Sequence, residues 1–441
     1  MCIRDRYYNH HTVSGSDDEV YNPARDRLAK HGLLPEKIGW NPDCITKDLD
    51  LVILGMHARP DNPELKRAQE LNIPIYSYPA FVYEKAKEQK RVVIAGSHGK
   101  TTTTSMVMHV LKFHLKDFDY LVGAQLDGFE TMVRFSDAQM TIIEGDEYLS
   151  SPMDRRPKFL HYLPDLAVIT GIAWDHINVF PDFSDYKNQF LLFAQSMPPS
   201  GKLFYYQHDP YLPKLLDNAD IDCELIPYHG FNFKVENNQT ILITDTGKEI
   251  PLKIFGAHNL QNLQAAFFLC LELGISSSDF FKAIKSFKGA AKRLDFLCKT
   301  DSAVAYKDFA HAPSKVKATT EAMKAQFPKR QLIACVELHT FSSLNKKFLP
   351  HYKSTLATAD QAFVFYSEHT LKMKKLPLIK PADIQKAFNH PHLTVIQNDF
   401  SNLENALNRL DWEEQNLLLM TSGNFGGWDM KKASKFLLMK N

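Results

Sequence analysis

The sequence predicts an α/β chain of more than one domain, built from largely parallel sheets with helices on their faces. Three observations predict it. At 441 residues the chain exceeds what one hydrophobic core serves. Short apolar runs of strand length alternate with helical stretches, the rhythm of β-α-β connections. One such run, Arg91 to Ala95, leads into glycines and a Lys-Thr-Thr helix start, the turn by which a parallel sheet offers a helix N-terminus to a ligand.

Taken in order, residues Met1 to Arg6 neither alternate like a strand nor lead into a glycine turn, and read as a non-native leader. A short strand is expected at Thr12 to Ser14, a turn at Gly15 to Asp18, and a helix from Pro23 to His31 that Gly32 stops. Leu49 to Leu54 reads as a buried strand, Asn62-Pro63-Glu64 as a helix start with Pro in its first turn, and Ile73 to Tyr76 as a strand. The charged helix Val82 to Lys90 then connects to a second core. Its strands are Arg91 to Ala95, Met140 to Ile143, Leu166 to Thr170 and Gly201 to Tyr206, with helices through Leu115 and over Tyr186 to Ser196. Phe231 to Ile254 is β-rich, and helices follow at Gly256 to Leu273 and Ser278 to Ser286. Lys288 to Asp295 reads as a hinge into a last α/β unit. Its strands are Val304 to Tyr306, Gln331 to Val336, Gln361 to Phe365, His392 to Ile396 and Asn416 to Thr421.

Lys plus Arg number 52 against 51 Asp plus Glu, without long runs of one sign, so neither nucleic acid nor an anionic membrane is the expected partner. A small ligand is. The six cysteines are scattered without zinc or disulfide spacing. No apolar run approaches the roughly 20 residues that span a bilayer. A cytoplasmic location is the expectation.

The segment Gly96-Ser97-His98-Gly99-Lys100-Thr101-Thr102 has the chemistry of a phosphate cradle. Backbone N–H groups at a helix N-terminus meet phosphate oxygens, Lys100 reaches the β- and γ-phosphates, and the Thr101 hydroxyl is placed to ligate Mg²⁺. Phosphoryl transfer also needs carboxylates at a neighbouring strand end, which Glu144-Gly-Asp146-Glu147 supplies. Ile169 to His176 again sets an acid and an imidazole, Asp175 and His176, just after an apolar run. Three strand ends thus converge where ligands sit in open α/β sheets. The alternative for each is a glycine turn, a solvated acidic turn and a structural histidine.

Together these residues resemble the Mur ligase family. Gly96 to Thr102 is similar to its ATP loop, Glu144 to Glu147 to its acidic metal motif, and Asp175-His176 to its second metal site. The adenine-contacting motif is represented by Gly256-Ala-His258-Asn259-Leu-Gln-Asn262, the hinge by Lys288-Gly289 to Arg293, and the ribose motif by Asp308-Phe-Ala-His311. The resemblance implies three domains: a Rossmann-like N-terminal domain (1–88) that binds a UDP-sugar, a P-loop ATPase-like central domain (89–294) and a Rossmann-like C-terminal domain (295–441). It also implies that the opening β-α unit is lacking, since the family pattern is joined only at His11 to Asp17.

The implied reaction forms an amide between the carboxylate of UDP-N-acetylmuramate and an amine, with ATP and Mg²⁺, in peptidoglycan synthesis or recycling. Lys100, Glu147, His176 and Arg293 would carry the chemistry. Thr101, Glu147 and His176 would hold Mg²⁺, while Gly96 to Thr102, His258, Asn259, Asn262, Arg293 and Asp308 would hold ATP. Ser16, Asp17, His57, Asn62, Tyr148 and His311 would contact the other substrates. Asp146 to Tyr162 and Gly423 to Gly427 are similar to the branch that reattaches a murein tripeptide, whereas another branch adds L-alanine. Glu337-Leu-His339-Thr departs from the arginine-bearing segment expected for the former. A folate polyglutamylating ligase and a catalytically inactive nucleotide-binding regulator are the competing readings.

Overall fold

The computed structural model describes residues 2–56, 58–175, 177–290 and 293–430. Its main scaffold is two sheets, each covered on both faces by apolar layers.

The larger sheet orders its seven strands Val133–Arg134, Asp119–Leu121, Met140–Glu144, Lys90–Ala95, Leu166–Ile169, Lys202–Tyr206 and Glu224–Tyr228. All neighbours are parallel except the first pair. Val92, Val93, Ile94 and Ala95 are fully buried, as expected of a parallel strand packed on both faces. Register sets Ile94 beside Glu144 and Ala95 beside Ile169, so the segments leaving these three strands emerge side by side at one edge.

The helix Lys100–Phe113 begins at Gly99, whose φ of 79° lies in the left-handed region. Its first turns carry four threonines, poor helix formers, and Thr103 and Thr104 are fully buried. Packing against the helix Ala257–Glu272, rather than propensity, holds it. A three-stranded antiparallel sheet, Asn232–Glu236, Gln239–Ile243 and Glu249–Pro251, accounts for the β-rich segment.

The second large sheet orders Asp295–Lys299, Val304–Asp308, Gln415–Met420, Gln331–Leu338, Gln361–Tyr366 and Leu393–Gln397. Only the first pair is antiparallel. Near the N-terminus, Val52–Leu54 and Ile75–Ser77 form a small parallel pair. Among the described residues, no helix is long and apolar enough to cross a membrane.

Two expectations change, and the first residues take a defined place. Residues Cys2–Tyr8 are helical and docked: Asp5 Oδ1 accepts from the Phe135 N–H at 3.0 Å, and Arg6 pairs with Asp5 at 2.6 Å while donating to the Phe135 carbonyl at 3.2 Å. Burial pushes the Asp5 carboxyl above its ordinary range, against the pull of Arg6. Residues 12–14 form no strand, having no paired neighbour. The helix expected from Val82 spans Tyr78–Ala86 instead, because Ser77 caps it by accepting from the Ala80 N–H and Pro79 fits its first turn.

Candidate active site

The loop between Ala95 and Lys100 is bound tightly to its surroundings. Ser97 N donates to the Gly171 carbonyl at 2.9 Å, and the Ser97 hydroxyl accepts from Ala173 N at 2.9 Å and lies 2.8 Å from the Tyr186 hydroxyl. Gly96 has φ 130°, and a Cβ there would collide with the Thr170 hydroxyl. A Cβ on Gly99 would strike the Asn262 amide oxygen, so Asn262 lies directly against the loop. Both glycines are required by close approach as well as by backbone angle.

Lys100 Nζ donates to the Gly96 carbonyl at 2.6 Å and to Glu147 Oε2 at 2.5 Å. Glu147 is 1% exposed, and its other oxygen accepts from the Tyr186 hydroxyl at 3.0 Å. Burial lowers the Lys100 pKa, but Glu147, Asp146 and Glu144 outweigh it and hold the ammonium above its usual value. The Thr101 hydroxyl donates to Glu144 Oε1 at 2.7 Å, and Glu144 Oε2 accepts from Gly123 N at 2.7 Å. The carboxylate beside Thr101 is therefore Glu144, which the sequence identified only as part of a motif. Asp146 pairs with Lys158 at 2.7 Å.

The C-terminal domain reaches this loop. His98 Nε2 lies 2.5 Å from the Ser314 hydroxyl, and Lys315 Nζ is 3.2 Å from Asp175 Oδ2. Burial, then the Lys315 charge, pushes the His98 imidazole down to about 3, and the same two causes take His311 down to about 4. Burial also lowers Lys315, with Asp175 opposing. Sequence reasoning missed Lys315. Its signal was its place two residues after the helix-initiating Ala312-Pro313 pair, in the first helical turn after the His311 motif.

Arg293 stacks 5.0 Å from the Phe309 ring centroid. It lines a cavity of about 590 Å³ with Thr102, Asn259, Lys253, Phe255 and Tyr306. Asn259 also donates to the Phe255 carbonyl at 2.8 Å. His258 lies close enough to Asp308 and Arg293 to feel both charges, though burial is what chiefly lowers its pKa. Asp308 accepts from Leu294 N and Ala310 N, each at 2.7 Å, so its carboxylate ties the hinge to the strand end. A second cavity, about 260 Å³, is lined by Tyr148, Asp175, Asn178 and His311.

The structure thus brings together Gly96 to Thr102, Glu147, Asn259, Asn262, Arg293, His258 and Asp308 on one side, and Tyr148 with His311 on the other. Asp17 and Asn62 are engaged within the N-terminal segment, and Ser16 lies beside Asp17 in the chain, so none of the three is brought to the loop by these contacts. The Asp17 carbonyl accepts from Gly39 N at 3.0 Å, and Asn62 Oδ1 caps a helix by accepting from Glu64 N and Leu65 N. His57 and His176 lie outside the described residues.

The sequence profile of the Mur ligase middle domain matches residues 94–270. The UDP-N-acetylmuramate–L-alanine ligase of Alkaliphilus metalliredigens is 31% identical over 370 residues, covering 81% of this chain and 77% of that protein. The chain belongs to the Mur ligase family. Members of this family are ATP-dependent amide-bond ligases of peptidoglycan synthesis. The Escherichia coli UDP-N-acetylmuramate–L-alanyl-gamma-D-glutamyl-meso-2,6-diaminoheptandioate ligase is 26% identical over 432 residues, covering 96% of this chain and 92% of that enzyme. Among solved structures, the UDP-N-acetylmuramate–alanine ligase of Thermotoga maritima matches with a TM-score of 0.69 at 20% identity, over 99% of this chain and 95% of that one. The Mur ligase fold, with three domains, accounts for the two large sheets and the small N-terminal one.

Proposed function

We propose that this ligase joins the carboxylate of UDP-N-acetylmuramate to the amine of a murein tripeptide through an acyl-phosphate intermediate. The observation that carries the choice of amine is the extent of the match to the Escherichia coli peptide-adding enzyme, 96% of the chain. The match to the Alkaliphilus L-alanine ligase covers 81%. The second reading, L-alanine as the amine, is favoured by the higher identity of that relative, 31% against 26%. On this reading the domain limits fall at 1–88, 89–294 and 295–441.

A carboxylate is a poor acyl donor because oxide is its leaving group, and phosphorylation supplies a better one. Lys100, fixed at the loop mouth by Glu147, offers positive charge where the transferred phosphoryl group gains negative charge. Arg293, held over Phe309, adds a second cation from the hinge. Backbone N–H groups at the start of the helix Lys100–Phe113 cradle the phosphates. Asn259 and Thr102 line the cavity for the nucleoside, with His258 and Asp308 beside it.

The Thr101 hydroxyl and the Glu144 and Glu147 carboxylates are hard oxygen donors clustered at one strand end, a set that fits Mg²⁺. Mg²⁺, when bound, supplies Lewis-acid polarisation of phosphoryl oxygens. His176 would join that set. Ser16, Asp17, His57 and Asn62 would approach the UDP-sugar, with Asn62 acting through the helix end it caps.

The test is ADP release with UDP-N-acetylmuramate and either tripeptide or L-alanine. Turnover with tripeptide alone is expected, and turnover with L-alanine alone selects the second reading. Isotopic oxygen placed in the muramate carboxylate should appear in the released phosphate; its absence would remove the acyl-phosphate step.

A further inference from the structure

One phenol ties together the segments that leave three neighbouring strands of the larger sheet. Tyr186 stands near the start of the helix Phe183–Gln195, which Asp182 caps by accepting from the Ser184 N–H at 2.7 Å. It is fully buried, and its ring centroid lies 5.3 Å from those of both Phe180 and Phe190, so packing fixes where its hydroxyl sits. That hydroxyl donates to Glu147 Oε1 at 3.0 Å and lies 2.8 Å from the Ser97 hydroxyl. A phenol carries one proton, so in the shorter contact Ser97 must be the donor. Ser97 in turn accepts from Ala173 N at 2.9 Å. The chain therefore runs one way, from the Ala173 N–H through Ser97 and Tyr186 to the carboxylate, and joins the segments that follow Ala95, Glu144 and Ile169.

The two oxygens of Glu147 have unlike partners. Lys100 reaches Oε2 at 2.5 Å on a flexible four-carbon stem, and in the proposed reaction that ammonium turns to a phosphate. Tyr186 reaches Oε1 from a ring wedged between aromatic neighbours, so it stays when the lysine goes. A carboxylate that is to meet a metal ion binds it better when a second group already holds its orientation. The phenol is placed to do this for Glu147, and through Ser97 it sets that carboxylate in register with the phosphate loop.

We propose that Tyr186 is a positioning residue: bonded to Ser97 and Glu147 at once, it holds the Glu147 carboxylate ready for Mg²⁺ when Lys100 turns to the nucleotide. This rests on the reading of Glu147 as a metal carboxylate given above. Tyr186 acts through Glu147, so its loss is felt in the affinity for the metal ion far more than in that for the nucleotide alone.

The experiment titrates Mn²⁺, followed by its electron spin resonance signal, into the full-length protein saturated with ADP, and separately titrates ADP in the presence of EDTA. Tyr186→Phe keeps the ring and removes only the hydroxyl; it should weaken Mn²⁺ binding about 10–100-fold and metal-free ADP binding far less. Glu147→Gln should weaken Mn²⁺ as well, and on that background Tyr186→Phe should add little, because the two substitutions break one chain. Unaltered Mn²⁺ affinity in Tyr186→Phe overturns the proposal. So does an equal loss of ADP affinity in EDTA, or a loss of Mn²⁺ affinity of the same size with and without the Glu147 carboxylate. Should Tyr186→Phe not fold by circular dichroism, Ser97→Ala breaks the chain one bond earlier: a smaller loss of Mn²⁺ affinity is then expected, and none overturns the proposal. If the parent binds no Mn²⁺ with ADP, or Glu147→Gln binds it as the parent does, the metal reading of Glu147 fails and the proposal falls with it, a result separable from the others.

Discussion

Lys100→Met tests whether the Lys100–Glu147 pair is part of the chemistry or only part of the fold. Glu147 is buried and accepts from two donors, Lys100 at 2.5 Å and Tyr186 at 3.0 Å. Removing the lysine takes away the ammonium that offsets a buried carboxylate, a loss of about 3–5 kcal/mol. At roughly 2–4 °C per kcal/mol for a domain of about 150–250 residues, melting should fall by roughly 6–20 °C. The barrier to phosphoryl transfer should rise by about 3 kcal/mol or more, slowing ADP release by a factor of roughly 100. The two effects separate in the double variant Lys100→Met/Glu147→Gln, where the carboxylate charge goes together with the ammonium: the melting temperature should return most of the way, and turnover should not. ADP release is measured well below each variant's own melting, which circular dichroism follows. If Lys100→Met keeps near-parental turnover, or the double variant regains turnover along with stability, the lysine is a structural cation and the phosphate-loop reasoning is wrong.

Gly99→Ala places a Cβ against Asn262 at φ 79°, so the loop must distort; KM for ATP should rise at least about tenfold while the melting temperature moves little, and an unchanged KM would count against the cradle. Asp308→Ala leaves the N–H groups of Leu294 and Ala310 without their acceptor at the hinge, at about 1–3 kcal/mol each, and should raise KM for ATP more than it lowers kcat; the reverse pattern in steady-state kinetics would remove it from nucleotide binding. His98 and His311 have folded pKa values lowered to about 3 and about 4, so the unfolded chain takes up protons that the folded one refuses. Their contribution to stability is intact above the unfolded value of about 6.5 and is withdrawn as pH falls from there through about 4 and about 3. Melting scans across that window should show a steep acid slope that His311→Gln makes shallower. Lys315→Met removes the ion pair to Asp175, and small-angle scattering should then show a more open chain; an unaltered scattering profile would mean the pair does not hold the domains together.

Much of the active edge was legible because parallel sheets simplify it. Once Arg91 to Ala95, Met140 to Ile143 and Leu166 to Thr170 are read as neighbouring parallel strands, the segments that follow them must emerge at one edge, and the observed registers bring them there. The glycines of the loop were legible for the same reason: a backbone turning from strand to helix against Thr170 and Asn262 tolerates no Cβ. What could not be read was pairing between segments far apart in sequence. Thr101 meets Glu144 rather than Glu147, a choice made by which carboxylate leaves the strand on the helix side. The helix Cys2–Tyr8 looked extraneous because its stabilising partner, the Phe135 backbone, lies 130 residues away from Asp5. Thr12 to Ser14 has strand-like residues but no neighbour, and a strand without a ladder does not persist.

Each cavity is lined by residues of both large-sheet units, and that bears on how the proposed reaction would be ordered. Thr102 and Arg293 face the larger cavity, while Asp175 and His311 face the smaller one. The C-terminal domain meets the central one through His98 to Ser314 and Lys315 to Asp175. Both contacts come from residues within four positions of His311, so the helix Pro313–Gln326 that meets the loop also adjoins a wall of the smaller cavity. Arg293 belongs to the hinge whose backbone Asp308 holds, so the same movement carries it. Under the proposed reaction, closure of the C-terminal domain would complete the phosphate-facing cations and this wall of the smaller cavity together. In that reaction the amine would meet the activated carboxylate only when the groups that activate it are already in place.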